Sequence, residues 1–230
     1  MPAIVTAFAN QKGGVGKTTL SIEIATALVL RAKSKVLAVD ADPQHGLIDW
    51  RTDRQTPPLF PVIGFPSEKL PAEVRAHAPN YDHIIIDAPP RNMGILRAAA
   101  VSAHCLLIPV QPSKHDIRST HDFLQTVTES LTFNPELTVA FIINRRITGT
   151  ALGRDIFTAL EDYPFPALHT AISQRVAFPE AHASGLSVLE LPNPDRSSAV
   201  TEIQSLAVEL LEMLNHAQKN RPRKKVARIA

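Results

Sequence analysis

The chain contains a single cysteine, Cys105, among its 230 residues. One cysteine excludes an internal disulfide framework, and it excludes a metal or iron–sulfur site built from several cysteines of one chain. No stretch approaches the ~18 uninterrupted apolar residues of a membrane-spanning helix. The first residues enter an apolar segment directly, without a basic region followed by a signal-type apolar stretch. These absences lead us to expect a cytoplasmic protein.

Charge is nearly balanced overall, at a formal net value of +2, but it is unevenly distributed along the chain. From residue 216 onward there are six Lys or Arg residues and no acid, which leaves 18 basic and 22 acidic residues before that point. High charge with little to bury predicts disorder. We therefore expect one domain over residues 1–216, which is long enough to bury a good core, and a basic, disordered tail over residues 217–230.

A glycine-rich stretch near the start of the chain carries the clearest chemistry. It follows the apolar run 3–9 and precedes a helical pattern, and it reads Lys12-Gly13-Gly14-Val15-Gly16-Lys17-Thr18-Thr19. A strand, a glycine loop and a helix N-terminus together form a phosphate cradle, because glycines allow backbone N–H groups to approach phosphate oxygens closely. Lys17 is expected to contact the β- and γ-phosphates, and the Thr18 hydroxyl is expected to bind Mg²⁺.

This loop departs from the strict P-loop pattern, because Gln11 stands where the pattern has its first glycine. A dinucleotide-binding pattern, G-x-G-x-x-G, also fails, since Thr19 occupies its third glycine position. A purely structural glycine turn is the remaining alternative. It explains neither the Lys17-Thr18 pair nor the preceding strand, so nucleotide phosphate binding is the favoured interpretation.

The rest of the chain alternates short apolar runs with helical patterns, which predicts an α/β fold with right-handed crossovers. The fold should have three layers, in which a mostly parallel, twisted sheet has helices on both faces. We predict helices at 18–31, 46–51, 67–77, 93–101, 115–131, 151–161, 176–184 and 198–216. We predict strands at 35–40, 81–87, 105–110 and 137–144, with weaker candidates at 59–65 and 166–172.

Three aspartates end two of these strands, where parallel sheets bind their ligands. Asp87 follows three isoleucines in the arrangement of a Walker-B carboxylate that holds Mg²⁺, with a helix N-cap as the alternative. Asp40 ends its strand and Asp42 lies two residues beyond that end, so we expect the two carboxylates to have different roles. One is expected to contact the Mg²⁺ shell and the other to orient the attacking water. The alternative for Asp42 is capping of the helix predicted at 46–51.

Taken together, the glycine loop, the Asp40-Ala41-Asp42-Pro43-Gln44 segment and the Asp87-Ala88-Pro89-Pro90 strand end resemble the deviant-Walker ATPases of the ParA/MinD superfamily. The segments 141–146 and 170–175 are most similar to small ParA proteins of the ParF type. This resemblance implies binding of ATP or ADP with Mg²⁺. Its implied metal site consists of Thr18, Asp40 and Asp87.

The resemblance also implies catalytic roles for Lys12, Lys17 and Asp42. Lys12 corresponds to the signature lysine that contacts the partner's phosphates across an ATP-sandwiched homodimer, and Asp42 to the residue that positions water. The implied nucleotide-binding set is Gly13, Gly14, Val15, Gly16, Lys17, Thr18, Thr19, Asn144 and Arg145, the last two flanking adenine together with loop 171–175. Ser173-Gln174 stands where the family commonly has proline and arginine, which weakens the assignment of adenine contacts there.

Family members of this kind bind DNA without sequence preference, are stimulated by a ParB- or ParG-like partner, and act in plasmid or chromosome partition or other cargo positioning. The resemblance therefore implies nucleoid association. Candidate DNA-binding residues are Arg175, Arg196, Lys219, Arg221, Arg223, Lys224 and Lys225. A tail without function is the alternative.

Two other classes of function stay open at this point, a metabolic P-loop enzyme and a purely structural nucleotide-binding subunit, the latter of which would tolerate loss of Asp42. A metabolic P-loop enzyme, such as an amide-forming ligase, would turn over without DNA or a partner protein. A MinD-like membrane attachment is disfavoured, because residues 219–230 offer only Val226 and Ile229 as bulky apolar side chains and Pro222 interrupts them.

Overall fold

The computed structural model describes residues 3–113, 121–192 and 197–219. Within these ranges, apolar runs form a six-stranded sheet in the order β3-β2-β4-β1-β5-β6, and every strand pair is parallel. The strands are β1 (Ile4–Phe8), β2 (Val36–Asp40), β3 (Val62–Gly64), β4 (His83–Asp87), β5 (Cys105–Val110) and β6 (Thr138–Ile143). The predicted fold class is therefore confirmed.

Helices cover both faces of this sheet. They are α1 (Lys17–Leu30), α2 (Gly46–Asp53), α3 (Leu70–His77), α4 (Met93–Ser102), α5 (His121–Leu131), α6 (Ala151–Glu161), α7 (Ala177–His182) and α8 (Ser198–Lys219). Alternate strand residues enter opposite cores: Ile84 and Ile86 pack with helices α3 to α6, and Ile85 packs with α1, α2, α7 and α8. Burial on both faces explains why these strands are apolar throughout.

The strand register brings the polar strand ends to one edge. Phe8 pairs with Asp87, and Asp87 pairs with Asp40, so β1, β4 and β2 end level with one another. The glycine loop leaves β1 at this edge. Three features that are far apart in sequence therefore meet at the carboxyl ends of adjacent parallel strands, where such sheets bind ligands.

The weak strand predicted at 166–172 is wrong, because this segment makes one isolated bridge, between Ala167 and Phe141 of β6, and no continuous ladder. Its ends do pair: the N–H of Leu168 donates to Phe141 O, and the N–H of Ile172 donates to Ile143 O. Between them, the N–H groups of residues 169 and 170 donate to the Glu209 carboxylate of α8 at 2.6 and 2.9 Å. The carboxylate thus takes the N–H of Thr170, which lies between those of Leu168 and Ile172 in the alternation and which a continuous ladder with β6 would need.

Other boundaries shift by a few residues. β3 is confined to Val62–Gly64, after Pro61, which has no N–H to donate to a ladder. α2 continues to Asp53, and α8 continues to Lys219, three residues beyond the predicted end at 216. The helix predicted at 115–131 is present as His121–Leu131, and its first part lies outside the described residues. Over the ranges that the structure covers, no helix has the length and hydropathy to cross a membrane.

Candidate nucleotide-binding site

The loop between β1 and α1 turns at two glycines with left-handed backbone angles. Gly14 has a φ of 77° and Gly16 a φ of 93°, a region in which residues with a Cβ are strained. Gly16 is the N-cap of α1, so the first N–H groups of the helix open toward the loop. Free N–H groups and the helix dipole together favour a bound anion at this point.

Asn10 anchors the start of this loop. Its side chain is 1% exposed, and its Nδ2 donates to the carbonyl oxygen of Pro109 at 2.9 Å. Its Oδ1 accepts from the N–H of Lys12 at 3.0 Å. Asn10 is not among the residues predicted from the sequence. The available signal was a polar side chain placed directly after a buried strand, where an amide can bond to both neighbouring segments.

Lys17 is buried beneath the loop, with 6% of its surface exposed, and its Nζ donates to the Lys12 carbonyl oxygen at 3.0 Å. Burial lowers the pKa of this ammonium, and the nearby carboxylates of Asp87 and Asp42 act in the opposite direction. A buried ammonium is suited to binding a phosphate group. The negative phosphate would compensate the positive charge that water can no longer solvate.

Asp87 lies beside the first turn of α1 and accepts a 2.6 Å hydrogen bond from the Thr18 hydroxyl through Oδ2. The carboxyl is 1% exposed, and burial raises its pKa to about 7. Its other oxygen, Oδ1, is buried without a hydrogen-bond partner. A buried carboxylate oxygen without a partner, next to a hydroxyl, fits a Mg²⁺ ion held directly or through its water shell.

The described residues contain no group of three or more His, Cys, Asp or Glu side chains that could hold a metal. A Mg²⁺ ion at this site would therefore take few ligands from the protein. Such a donor set is usual for Mg²⁺, which keeps several waters and binds through one or two protein oxygens and the phosphates of a nucleotide. Thr18 and Asp87 would be those protein ligands.

Asp40 has a different environment from Asp87, although both are buried strand ends. Its Oδ2 accepts from the N–H groups of Leu47 and Ile48, both at 3.0 Å, and its Oδ1 accepts from the N–H of Asp42 at 3.0 Å. Burial raises the pKa of Asp40, and these backbone bonds oppose the shift. Metal ligation by Asp40 stays a prediction. The hydrogen bonds instead support a positioning role, in which Asp40 caps α2 and orients Asp42.

Asp42 itself is partly exposed, and its Oδ1 accepts from the N–H of Gln44 at 2.9 Å. The alternative considered for Asp42, capping of the helix at 46–51, is filled by Asp40. Asp42 is close enough to Lys17 for its charge to raise the pKa of that lysine. The structure thus brings the Asp42 carboxylate near Lys17, and the water-positioning role of Asp42 stays a prediction.

A cavity of about 910 Å³ opens beside the loop. Its lining includes Thr19, Asn144 and Arg145, together with Ile147, Thr148, Ser173, Gln174, Arg175, Val176, Phe178, Pro179, His182 and Ala183. This volume lies within the ~300–1,000 Å³ range of small-molecule sites. The strand end at 144–145 and the loop at 171–175 thus border one cavity. Adenine binding between them stays a prediction.

Glu23 supports one wall of this cavity and was missed in the sequence analysis. It projects from α1 and is fully buried. It accepts hydrogen bonds from His182 Nε2 at 2.9 Å, Ser187 Oγ at 2.5 Å and the N–H of Val188 at 3.2 Å. The only acidic residue of α1, placed between Ile22 and Ile24, was the available signal, because a buried carboxylate needs hydrogen-bond partners.

The predicted DNA-binding residues are only partly described. Arg175 lines the cavity and pairs with Glu202 of α8 at 2.8 Å, and its side chain is 32% exposed. Lys219 is the last residue of α8. The other predicted contacts lie outside the described residues; these are Arg196, Arg221, Arg223, Lys224 and Lys225.

Comparison with known proteins is consistent with this geometry. The family model of the CobQ/CobB/MinD/ParA nucleotide binding domain matches residues 6–188. The maintenance of carboxysome distribution protein A of Halothiobacillus neapolitanus is 32% identical over 216 residues, which cover 91% of this chain and 97% of the relative. The chromosome-partitioning ATPase Soj of Thermus thermophilus is 29% identical over 245 residues, covering 92% and 96%.

Solved structures have the same fold. The septum site-determining protein MinD of Pyrococcus horikoshii, complexed with Mg-ADP, superimposes with a TM-score of 0.76 at 18% identity, covering 94% of this chain and 98% of that chain. A Cyanothece McdA–ATP complex superimposes with a TM-score of 0.72 at 21% identity, covering 90% and 96%. The motifs, the fold and the family match agree, and this chain belongs to the CobQ/CobB/MinD/ParA family of nucleotide-binding proteins, as its resemblance to ParA/MinD ATPases predicted.

Proposed function

We propose that this protein is an ATPase that positions cargo on DNA. In this proposal it binds Mg·ATP and closes into a homodimer with ATP at the interface. The dimer binds DNA without sequence preference, and hydrolysis of ATP releases the protein from the DNA. A ParB- or ParG-like partner stimulates hydrolysis, and the cargo is a plasmid, a chromosome or another body. Relatives named for chromosome partition and for carboxysome distribution support cargo positioning as the output.

One observation carries this proposal: the groups needed for Mg²⁺-dependent phosphoryl transfer lie together at one sheet edge. Lys17 lies beneath the loop, and Thr18 contacts Asp87 at 2.6 Å. Asp42 lies near Lys17, held by a backbone bond to Asp40. Phosphoryl transfer is catalysed mainly by positioning and charge stabilisation, and these residues supply a cation, two metal ligands and a carboxylate.

Replacement of Asp42 by alanine tests the hydrolytic step. We expect ATP affinity to change by less than about threefold, and hydrolysis to fall by about a hundredfold, which is within the range for loss of a positioned acid–base group. The variant should then stay on DNA in the presence of ATP. The measurements are phosphate release and DNA retention, each with and without non-specific duplex DNA.

Asp49→Ala is the matched control, because Asp49 is an exposed carboxylate on α2. It should hydrolyse ATP like the unaltered protein. Normal hydrolysis by Asp42→Ala would contradict the assignment of the water-positioning residue. Turnover of the unaltered protein that is independent of DNA and of any partner protein would favour a metabolic enzyme instead.

Lys12 is the residue that we propose to act across the dimer. It lies in a loop whose tip, Gly13-Gly14, is exposed, and a Cβ added at Gly14 would meet no atom within 4 Å. Such a surface leaves space for close approach of a second copy. Lys12→Ala should bind ATP as a monomer, with affinity reduced by less than about fivefold, because the cation is needed only once the partner's phosphates are near.

The measurement for Lys12→Ala is sedimentation with Mg·ATP, made in the Asp42→Ala background so that ATP persists. The Asp42→Ala protein should be dimeric, whereas the Lys12→Ala, Asp42→Ala double variant should stay monomeric. Equal dimerisation of both proteins would show that Lys12 does not act across the interface.

The DNA contacts are proposed to come from the basic segment 219–230, together with Arg175 and Arg196. The positive charges of this segment can contact the phosphate backbone of DNA. Such contacts do not read the base sequence, which agrees with non-specific binding. DNA affinity should therefore fall steeply as the salt concentration rises.

A further inference from the structure

Two side-chain amides hold consecutive carbonyl groups of the phosphate loop. Asn144 Nδ2 donates to the carbonyl oxygen of Val15 at 2.7 Å, and Gln111 Nε2 donates to the carbonyl oxygen of Gly14 at 3.0 Å. Gln111 directly follows β5, the neighbour of β1 in the sheet, and Asn144 directly follows β6, the next strand outward. The two contacts therefore join segments about a hundred or more residues apart.

The paired ends of β5 and β6 hold these two donors. Val110 of β5 pairs with Ile143 of β6, so the next residue of each strand, Gln111 or Asn144, leaves the sheet at the same level. The N–H of Asn144 also donates to the carbonyl oxygen of Val110 at 2.8 Å, and its side chain is 3% exposed. The backbone hydrogen bond and the burial of the side chain therefore both hold the Asn144 amide in place.

Holding a carbonyl oxygen also orients the next N–H group. The described peptide bonds are all trans, so each C=O and the N–H that follows it point to opposite sides of a planar unit. The bond to Gly14 O thus directs the N–H of Val15, and the bond to Val15 O directs the N–H of Gly16. These are loop N–H groups of the kind that bind phosphate oxygens.

The close approach of Asn144 also accounts for glycine at position 16. A Cβ built on Gly16 would lie 2.1 Å from Asn144 Nδ2. Any larger residue at position 16 would displace the amide, and it would also be strained at a φ of 93°. The two residues are therefore matched in size, one with a short amide and the other with no side chain.

We infer that Asn144 and Gln111 are positioning residues of the phosphate loop, which orient the N–H groups of Gly16 and Val15 before the nucleotide arrives. This inference deepens the proposed function, because it rests on binding of a triphosphate in the loop. It assigns Asn144 a role at the phosphates, in contrast to the adenine contact predicted for it. Affinity for the triphosphate should then depend on Asn144 even where no base is present.

The test compares a base-free ligand with two nucleotides. Dissociation constants for inorganic tripolyphosphate, ATP and GTP, each with Mg²⁺, are measured by calorimetry for Asn144→Ala and Gln111→Ala. We expect tripolyphosphate affinity to fall about tenfold or more in Asn144→Ala, because a misdirected N–H loses a charge-assisted hydrogen bond. We expect a fall of about three- to fivefold in Gln111→Ala, whose bond is exposed to water.

Asn134→Ala is the matched control. The Asn134 amide also donates to backbone carbonyls, including Ala103 O at 2.7 Å, but these lie at the end of α4. This variant loses stability without touching the loop, so its tripolyphosphate affinity should be unchanged. Gln111→Ala keeps the test valid if Asn144→Ala does not fold, because Gln111 is only partly buried, whereas Asn144 is 3% exposed.

Tripolyphosphate affinity decides the result. A fall in both loop variants, with the control unchanged, supports the inference, and an ATP-to-GTP ratio that stays constant excludes a base contact by Asn144. Unchanged tripolyphosphate affinity overturns it. The proposed function fails separately, if the unaltered protein binds tripolyphosphate and ATP but neither dimerises nor binds DNA; the loop inference is still decided by the same titrations.

Discussion

Replacement of Lys17 by alanine is expected to lower the affinity for Mg·ATP by about a hundredfold or more. The Lys17 ammonium is almost fully buried, and burial lowers its pKa, so it has little water to compensate its charge. A phosphate at the loop would form charge-assisted hydrogen bonds with it, and loss of a buried charged partner costs about 2–5 kcal/mol. An energy of about 3 kcal/mol corresponds to more than a hundredfold in a dissociation constant.

Calorimetric titration with Mg·ATP measures this effect directly. Lys35→Ala is the control, because Lys35 is an exposed lysine before β2, outside the loop, and it should bind ATP normally. Lys17→Arg should also bind poorly, since the planar guanidinium is larger than the ammonium that the buried space holds. An affinity within about threefold of normal in Lys17→Ala would mean that the loop does not hold phosphates as proposed.

Asp87→Asn is expected to have two opposite effects. Without a carboxylate, the Mg²⁺ site loses its main protein charge, so Mg²⁺-dependent ATP binding and hydrolysis should fall by about a hundredfold. Without nucleotide or Mg²⁺, the same variant should be more stable than the unaltered protein above pH 7. The asparagine is isosteric and can still accept the hydrogen bond from Thr18, but it carries no buried charge.

The sign of the pH dependence follows from the raised pKa. Burial raises the pKa of Asp87 to about 7 from an ordinary value near 3.8. Between these values the folded protein binds a proton that the unfolded chain releases, so the stability of the unaltered protein falls as pH rises from about 4 to about 7. The difference from Asp87→Asn should grow over this range, and it reaches about 4 kcal/mol at most.

Urea unfolding between pH 5 and pH 8 in the presence of EDTA measures this difference. Asp49→Asn removes an exposed carboxylate from α2, and its stability should follow that of the unaltered protein across the range. A loss of stability in Asp87→Asn at pH 8 would contradict the prediction, because it would mean that the buried carboxylate is favourable even without a metal.

Fold and phosphate loop were predictable because their signals are local. Strands buried on both faces, such as β4 and β5, are continuous apolar runs that any window of the sequence contains. The strand predicted at 166–172 was a weaker candidate, with His169 and Thr170 inside its apolar pattern, and it was wrong. Glu209 of α8 takes two of its N–H donors, and a contact with a helix about forty residues later has no local trace.

The different roles of the strand-end aspartates were less predictable. Asp40 and Asp87 both end buried strands and look equivalent as residues. They differ in what surrounds them: three N–H groups satisfy Asp40, whereas Asp87 has one hydroxyl donor and one oxygen without a partner. Only the position of α2 and α1 relative to the strand ends decides which carboxylate keeps capacity for a metal.

By itself, then, the sequence determined the parallel sheet, the glycine loop and the types of residue that line the site. These depend on hydrophobic pattern and on backbone angles that glycine alone adopts freely. The tertiary structure decided what each polar side chain bonds to. Asn144 meets Val15 across 129 positions of sequence, and Glu23 meets Ser187 across 164. A hydrogen bond depends on distance and direction in space, and only the folded sheet brings such groups within reach.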